Sequence, residues 1–246
     1  MSGWLQGRVV ERCAWTDALF SLRVESPRLA FEAGQFVRIA LDVEGERIAR
    51  PFSFVNAPED PVLEFYGVVV PEGPLSPRLA RLTPGDALWI ADNPSGFLVL
   101  SEVPPAEDLW LVATGTGIAP FLSILRTEAP WQRYKRVFLV HGVRVADEWV
   151  YRDLIGNMKL AHPGNFSYIR FASRQKHPEA LQGRIPAAVT DGRLEAAAGP
   201  ISPERSQFML CGNPDMLKDM TAALAARGLK KHRRRAPGQI TVESFW

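Results

Sequence analysis

The chain has 246 residues, which is enough for one large domain or two ordinary ones. Its hydrophobic share of 46% and charged share of 23% are typical of a globular protein, and a formal net charge of +2 is too small to indicate a partner by itself. The two cysteines, Cys13 and Cys211, exclude a four-cysteine iron–sulfur cluster, and the four histidines show no metal-binding spacing.

The start of the chain lacks the long apolar core and the small-residue cleavage pattern of a signal peptide, so the sequence predicts a cytoplasmic protein. The segment Leu109–Leu125 carries no charge, but it is shorter than the roughly 20 apolar residues that span a bilayer. It also contains Gly115, Gly117 and Pro120. A buried strand, a turn and a buried helix explain it better than a membrane span.

Short strands separated by turn residues fill the first hundred residues, which favours an antiparallel barrel or sandwich. The predicted strands are Leu5–Arg12, Ala18–Val24, Phe36–Leu41, Arg47–Phe54, Leu63–Val70 and Ala87–Ala91. One short helix, about Pro77–Leu82, interrupts them. Ser76 is its predicted N-cap, Pro77 suits its first position, and Gly85 lies beyond its end.

The pattern changes near Pro104-Pro105, and we place the domain boundary between residues 101 and 102. Beyond it, strands and helices alternate, which predicts a doubly wound parallel sheet. The predicted strands are Leu109–Ala113, Val137–His141, Phe166–Ser173 and Phe208–Cys211; the predicted helices are Ile118–Arg126, Asp147–Leu160 and Pro214–Arg227; Gly192–Ser206 is predicted to be a loop.

A glycine turn, Thr114 to Pro120, joins the first of these strands to the first helix. Its glycines let the backbone approach a ligand closely, and the helix start favours a phosphate. Because Pro120 stands where the third glycine of the G-x-G-x-x-G fingerprint would be, the motif alone is compatible with a dinucleotide or with an ordinary tight turn.

Arginines follow the next two strands. NAD-binding sheets usually end the second strand in an acidic residue that binds a ribose hydroxyl. Here Arg144 follows that strand, Arg174 follows the third, and Arg184 comes soon after. A guanidinium makes two charge-assisted hydrogen bonds to a phosphate, so the three arginines favour NADPH over NADH.

Four further motifs have a functional and an ordinary interpretation. Arg50-Pro51-Phe52-Ser53 can neutralise a pyrophosphate, stack on a flavin and donate a hydrogen bond, or can be a plain strand. Gly73-Pro74-Leu75-Ser76 can bind a phosphate or simply start a helix. In Cys211-Gly212-Asn213-Pro214 the thiol can touch a nicotinamide or be a small buried group. The tail Val242–Trp246 ends in aromatic residues that usually pack on something, such as a planar cofactor.

Basic residues cluster in the stretch 227–235. The cluster is compatible with a solvated face, with a nucleic-acid patch, for which no known motif is present, or with a docking surface for an acidic protein. His141 is interpreted as structural.

In this order and spacing, the motifs resemble those of bacterial ferredoxin/flavodoxin–NADP reductases over essentially the whole chain. The resemblance implies an antiparallel FAD-binding β-barrel (residues 1–101) followed by an NADP-binding doubly wound α/β domain (residues 102–246). It further implies FAD as cofactor, NADP(H) as substrate and ferredoxin or flavodoxin as partner. We expect a monomer with no nucleic-acid partner and no stable membrane insertion.

The resemblance also implies the site residues. The FAD contacts are Arg50, Pro51, Phe52, Ser53, Tyr66, Pro74, Leu75, Ser76, Thr116, Phe245 and Trp246. The NADP contacts are Thr114, Gly115, Gly117, Arg144, Val145, Ser173, Arg174, Arg184, Asn213, Pro214 and Asp215. The catalytic residues are Ser53, which lies near flavin N5, Cys211, and Glu243, which assists proton movement or orients the nicotinamide.

The chain departs from the family pattern at two aromatic positions. Phe52 stands where the family usually has Tyr, and Trp246 extends beyond the usual terminal ring. Two rival functions stay open: an NADPH-dependent flavin reductase or oxygenase reductase component, which would share most motifs, and a nucleotide-sensing or nucleic-acid-binding module that uses the basic stretch.

Overall fold

The structure is a computed structural model that describes residues 3–244. The chain forms two compact units. The first contains the residues up to Val99 together with Ala119–Thr127, and the second contains Leu100–Ile118 and the residues from Glu128 onward. The short 3-10 helix Leu100–Glu102 spans the predicted domain boundary. The first unit is therefore assembled from two separate segments of the chain.

The first unit is a six-stranded antiparallel sheet. Its strands are β1 (Trp4–Ala14), β2 (Leu19–Glu25), β3 (Phe36–Val43), β4 (Glu46–Ser53), β5 (Leu63–Val68) and β6 (Ala87–Ala91), in the order β4-β3-β6-β1-β2-β5. The sheet curls until Phe54, just after β4, bridges Phe65 in β5 and so joins the two edge strands. The predicted antiparallel barrel is confirmed, and each strand end lies within two residues of its predicted position.

The core of the first unit comes from the inward faces of these strands. Leu22, Ile39 and Ile90 are fully buried there. Phe54 stacks on Phe31 with ring centroids 3.8 Å apart, which covers the place where the edge strands meet. The alternation of apolar and polar residues that predicted the strands is thus the alternation between core and surface.

The short helix α1 spans Ser76–Leu79, so the prediction that it reaches Leu82 was wrong. The predicted N-cap was also wrong. Leu75 is the N-cap residue, its backbone is helical, and no side chain caps the helix. The Ser76 hydroxyl instead accepts a hydrogen bond from the Val70 amide at 2.9 Å, which occupies it with the preceding loop.

Helix α2 (Ala119–Leu125) belongs to the first unit although the chain enters it from the glycine turn of the second. The Ser123 hydroxyl donates to the Asn56 carbonyl at 2.6 Å. Just after the helix, Arg126 lies between Asp60 at 2.9 Å and Glu64 at 3.0 Å. These polar contacts fix the C-terminal half of α2 on the loop and strand that follow β4.

The second unit is built on a six-stranded parallel sheet. Its strands are β7 (Asp108–Thr114), β8 (Arg136–Val143), β9 (Phe166–Ala172), β10 (Leu181–Gln182), β11 (Ser206–Gly212) and β12 (Ile240–Ser244), in the order β10-β9-β8-β7-β11-β12. The chain winds outward from β7 to β10 and then crosses to β11 on the other side of β7. This reversal confirms the predicted doubly wound sheet.

Helices α3 (Ala129–Arg133), α4 (Arg152–Ala161), α5 (Ile185–Thr190), α6 (Arg193–Ala198) and α7 (Pro214–Ala225) complete the second unit. Helices α5, α6 and α7 contribute side chains to a core on one face of the sheet. In that core Trp110 stacks on Phe138 and Phe208, with ring centroids 4.1 and 5.3 Å apart. In the described part of the chain, no helix is long and apolar enough to cross a membrane.

Two predictions for the second unit were wrong. The helix expected over Asp147–Leu160 is interrupted: a 3-10 turn at Ala146–Glu148 precedes Tyr151, whose φ is 58°, and α4 begins at Arg152. Trp149 and Tyr151 are both buried, and residues two apart cannot share one face of a helix. The loop expected over Gly192–Ser206 contains α6, because Leu194 is completely buried and anchors a helical turn.

Candidate functional site

The candidate nucleotide residues lie at the carboxyl ends of the strands in the second unit. Thr114 ends β7 and Gly212 ends β11, the two neighbouring strands between which the strand order reverses. In open α/β sheets, ligands bind outside the carboxyl ends of the strands at this reversal. The topology therefore supports a ligand site at the two loops that the sequence singled out.

Backbone packing interlocks these two loops. Gly212 has a φ of 134°, and a Cβ there would lie 2.2 Å from the Thr114 hydroxyl. A Cβ on Gly117 would lie 2.6 Å from the Cys211 carbonyl oxygen. The Asn213 amide donates to the Thr114 hydroxyl at 2.9 Å. Gly117 and Gly212 are therefore required for one loop to pack on the other, whatever ligand binds.

Asn213 also has a structural role. It is the N-cap of α7, and its Oδ1 accepts hydrogen bonds from the Asp215 and Met216 amides at 2.9 and 3.3 Å. Pro214 occupies the first turn of the helix, where its missing N–H costs nothing. The start of α7 is therefore ordered by its own cap, and Asp215 in its first turn is exposed to solvent.

The three arginines follow three neighbouring strands. Arg144 comes after β8, Arg174 after β9 and Arg184 after β10, and the Arg174 amide donates to the Arg144 carbonyl at 2.9 Å. Arg144 forms an ion pair with Glu148, with Nε 3.0 Å from Oε1. Within residues 3–244, Arg174 and Arg184 have exposed side chains and no acidic partner.

Ser173 and Val145 lie beside these arginines. The Ser173 hydroxyl donates to the Val143 carbonyl at 3.2 Å, so it ties the end of β9 to the end of β8. Val145 is 36% exposed, which is unusual for a large apolar residue and leaves an apolar side chain next to the basic groups. This combination suits a nucleotide, which has both a phosphate and an apolar base.

Cys211 is completely buried, and burial raises the pKa of its thiol well above the usual range, with a further contribution from the charge of Glu243. It pairs in register with Ala113 in β7 on one side and with Glu243 in β12 on the other. The thiol therefore stays protonated at neutral pH, which excludes a thiolate nucleophile and leaves a contact or positioning role.

His141, which the sequence analysis interpreted as structural, contacts the glycine turn. Its imidazole is buried, with Nε2 3.0 Å from the Gly115 carbonyl oxygen and Nδ1 3.3 Å from the Tyr168 hydroxyl. Burial lowers the pKa of His141 to about 4, so the ring is neutral at pH 7. Its place near the end of the strand beside the turn was the one signal in the sequence.

In the first unit, the predicted flavin motif lies at the end of β4. The side chains of Arg50 and Pro51 are exposed, and the Arg50 guanidinium donates to the Ala49 carbonyl at 2.8 Å. Ser53 is buried, and its hydroxyl has no hydrogen-bond partner within residues 3–244. A buried hydroxyl without a partner is costly, so this one is available to a ligand.

Phe52 lies between these two polar residues and is half-buried. A Cβ on Gly67, in β5, would lie 2.8 Å from Phe52 Cε1, so this glycine makes room for the ring. Phe65 meets the same ring edge-on, with centroids 6.5 Å apart. Tyr66, next to Gly67, is buried. Gly67 is a supporting residue that the sequence interpretation missed.

The loop before α1 places the remaining predicted FAD contacts. The Pro74 carbonyl accepts a hydrogen bond from the Arg78 guanidinium at 2.7 Å, Leu75 is buried, and Ser76 is bonded to Val70 as described. Thr116 lies in the 3-10 turn Gly115–Ile118 of the second unit. Phe245 and Trp246 lie outside the described residues.

The basic stretch lies near the amino ends of the parallel strands, at the opposite end of the sheet from the nucleotide residues. Lys231 bridges Ile240, the first residue of β12, whereas the nucleotide residues follow the last residues of their strands. Two of its arginines are paired, Arg227 with Glu195 and Arg234 with Glu102. This placement separates the stretch from the arginines that follow β8, β9 and β10.

The groups in both units fit the cofactors that the sequence predicted. An exposed arginine, a half-buried aromatic ring and an unpartnered buried hydroxyl suit a flavin with its phosphates. A glycine turn beside strand-end arginines suits a phosphorylated dinucleotide. These groups lie on a curled antiparallel sheet and on a doubly wound parallel sheet that follows it in the chain.

Comparisons with known proteins identify the family. Residues 111–222 match the oxidoreductase NAD-binding domain. The chain is 46% identical to a flavodoxin/ferredoxin–NADP reductase of Shigella flexneri and 45% identical to one of Escherichia coli K12, with 100% of each chain covered in both cases. A crystal structure of a ferredoxin NADP+ reductase from Neisseria gonorrhoeae, with bound FAD and NADP, superimposes with a TM-score of 0.94 at 32% identity and covers 99% of both chains. The chain belongs to the flavodoxin/ferredoxin–NADP reductase family.

Proposed function

We propose that this protein is a FAD-dependent ferredoxin/flavodoxin–NADP(+) reductase, which exchanges hydride with NADP(H) and single electrons with ferredoxin or flavodoxin. The observation that carries the proposal is the 45–46% identity over the whole of both chains to two enzymes named for this reaction. The first unit would hold FAD, and the second would bind NADP(H).

The first unit offers the groups that FAD needs. Arg50 would neutralise the pyrophosphate, with the Pro74–Ser76 loop beside it, and Phe52 and Tyr66 would provide the aromatic surface for the flavin. Bound FAD would supply the step between a two-electron hydride donor and a one-electron carrier. The phenylalanine at position 52 lacks a phenol hydroxyl, so its contribution to FAD binding would be stacking alone.

The second unit offers the groups that NADP(H) needs. Arg174, Arg184 and Arg144 would hold the 2′-phosphate, because three guanidinium groups at neighbouring strand ends favour a doubly charged anion. Residues Thr114–Gly117 of the glycine turn and the start of α7 at Asn213–Asp215 would border the rest of the dinucleotide. Selectivity for NADPH over NADH would therefore come from the arginines.

Three residues would act on the reacting groups. The Ser53 hydroxyl would donate a hydrogen bond to the flavin near N5. Cys211, as a buried thiol, would border the nicotinamide and restrict its position. Glu243, which pairs in register with Cys211, would orient the nicotinamide or assist proton movement.

The remaining proposals concern the compartment, the oligomeric state and the partners of the enzyme. Cys13 and Cys211 are both free, which fits a reducing compartment, and we place the protein in the cytoplasm as a monomer. Nucleic acid is not a proposed partner, because the basic stretch is partly paired and lacks a binding motif. Size-exclusion chromatography with light scattering tests the monomer.

An anaerobic titration of the purified protein with NADPH and with NADH, followed by visible flavin absorbance, tests the function. We expect a yellow protein that NADPH bleaches at a much lower concentration than NADH. A protein that stays colourless after FAD is added would overturn the proposal.

A second candidate function is a reductase that serves free flavin or an oxygenase. A cytochrome P450 reductase from Amycolatopsis has a TM-score of 0.79 and 27% identity, and the alignment covers 99% of this chain but 70% of that one. Parallel assays with ferredoxin, flavodoxin and free FMN separate the two functions. Turnover with FMN that exceeds turnover with either protein carrier would favour the second candidate.

A further inference from the structure

His141 touches the glycine turn but is not among the predicted ligand contacts. The residue lies in β8, in register with Ala113 of β7, and it is completely buried. Its Nε2 is 3.0 Å from the carbonyl oxygen of Gly115, the residue at which the turn begins. A carbonyl only accepts hydrogen bonds, so Nε2 carries the proton and donates it.

The other ring nitrogen also has a partner. Nδ1 lies 3.3 Å from the hydroxyl of Tyr168 in β9. With the proton on Nε2, the Nδ1 lone pair accepts a hydrogen bond from the tyrosine. The Gly115 carbonyl therefore selects the tautomer with the proton on Nε2, and Tyr168 donates to the nitrogen that is left without a proton. The pKa of about 4 keeps the ring neutral, so that both hydrogen bonds persist at neutral pH.

The hydrogen bond sets the direction of the next amide. No peptide bond in the described chain is cis, and in a trans peptide the C=O and the following N–H point in opposite directions. Since the Gly115 carbonyl points to the imidazole, the Thr116 N–H points away from it. This N–H also precedes the first hydrogen bond of the 3-10 turn, where donors have no partner within the helix.

The turn is open on its outer side. Gly115 has a φ of 52°, and a Cβ built on it meets nothing within 4 Å, although Gly117 two residues later is in close contact with Cys211. A Cβ on Gly115 would therefore point into open space, so a ligand can approach the turn at this residue.

We propose that His141 is a positioning residue for NADP(H): it holds the Gly115–Thr116 peptide so that the Thr116 amide donates to the dinucleotide pyrophosphate. The inference rests on the proposed function. The role assigns to a buried histidine of the neighbouring strand β8 part of the affinity for the pyrophosphate and none of the affinity for the 2′-phosphate.

A matched pair of variants tests the role. His141→Gln keeps an N–H for Gly115 and an oxygen for Tyr168, whereas His141→Met has similar bulk and neither group. The dissociation constants of NADP+ and of 2′-AMP, which has no pyrophosphate, are measured by calorimetry on the FAD-loaded enzyme. We expect His141→Met to weaken NADP+ roughly tenfold and 2′-AMP less than twofold, and His141→Gln to stay within about threefold of wild type for both.

Other outcomes overturn the inference. Equal loss of NADP+ and 2′-AMP affinity in His141→Met would indicate general damage to the second unit, and unchanged NADP+ affinity would show that the peptide needs no anchor. If His141→Met does not fold, Tyr168→Phe replaces it, with an expected loss of at least about threefold for NADP+ alone; no loss overturns the inference. A wild-type protein that binds no NADP+ would overturn the proposed function as well, whereas binding that is equal in all variants overturns only the role of His141.

Discussion

Some candidate residues of the two units differ in how their polar groups are satisfied. In the first unit, the Ser53 hydroxyl is buried without a partner within residues 3–244, and Arg50 is bonded to the carbonyl of its own neighbour. In the second unit, Thr114 is bonded to Asn213, Asn213 to the start of α7, and Arg144 to Glu148.

This difference matches the two kinds of ligand that we propose. A cofactor that stays bound can complete the hydrogen bonds of its site, so the protein can leave a buried hydroxyl for it. A substrate that enters and leaves each cycle needs a site that is stable without it, and interlocking bonds within the protein provide that stability. On this proposal, packing within the protein orders the nucleotide loops, whereas the Ser53 hydroxyl is left for the flavin.

The largest expected effect tests the interlocked loops. In Gly117→Ala, the new Cβ would lie within 3 Å of backbone atoms of Cys211 and Gly212, which no side-chain rotation relieves. We expect the variant to lose about 4 kcal/mol of unfolding free energy, measured with urea. Gly115→Ala is the control: its Cβ meets nothing, so it loses only about 1 kcal/mol from its positive φ. Equal losses of unfolding free energy in the two variants would contradict the interlocking of the two loops.

The second effect is a pH dependence caused by His141. Because burial lowers its folded-state pKa from 6.5 to about 4, the unfolded chain binds this proton first as pH falls. The unfolding free energy of wild type should therefore decrease between pH 6.5 and 4, by roughly 3 kcal/mol from this residue, and no further below that range. In His141→Gln this component is absent, so the unfolding free energy measured with urea should decrease less between pH 7 and pH 4.5 than it does in wild type. The same slope in both proteins would contradict the buried neutral imidazole.

The third effect tests the unpartnered hydroxyl of the first unit. Ser53→Ala removes one oxygen from a buried position and should slow flavin reduction by NADPH about 100-fold, because the flavin loses a positioning contact. The dissociation constant of NADPH should change less than threefold. Anaerobic stopped-flow absorbance measures both values. The control Ser21→Ala changes another buried serine of the same unit and should react like wild type. An unchanged rate in Ser53→Ala would show that its hydroxyl does not position the flavin.

The sequence allowed the fold class of both units to be predicted because each signal was local. Strand alternation and frequent turns indicated the antiparallel sheet, and the strand–helix alternation indicated the parallel one. The wrong predictions arose where tertiary packing decides. Burial of both Trp149 and Tyr151 interrupts a helix, and burial of Leu194 creates one in a segment whose composition is typical of a loop.

The candidate site was predictable to the extent that its residues form motifs. Arginines at or near strand ends predicted a preference for NADPH, and the structure places Arg144, Arg174 and Arg184 after neighbouring strands. The support of Phe52 by Gly67, and of Gly115 by His141, depends on contacts across strands that no spacing in the sequence encodes. Such supporting contacts become visible only with the register of the sheets.

The fourth effect concerns the exposed arginines. Arg174→Ala and Arg184→Ala should each raise the KM for NADPH roughly tenfold and leave that for NADH within twofold, because NADH has no 2′-phosphate. Steady-state assays with an artificial acceptor measure both. The control is Arg235→Ala, which changes the basic stretch near the amino ends of the strands. Equal losses for NADPH and NADH would place the arginine elsewhere on the dinucleotide.

The smallest expected effect shows whether the ion pair of Arg144 with Glu148 weakens the binding of NADP+. Glu148 accepts hydrogen bonds from both the amide and the guanidinium of Arg144, at 2.9 and 3.0 Å. In Glu148→Gln, the amide oxygen still accepts from the backbone, but the negative charge beside the arginine is gone. The variant should therefore bind NADP+ about threefold more tightly in calorimetry, with the difference shrinking as salt is raised. Glu102→Gln, which alters the Arg234 pair, should have no such effect. Weaker binding in Glu148→Gln would mean that the ion pair holds Arg144 in its binding position, so that internal bonding in the second unit prepares the site instead of competing with the ligand.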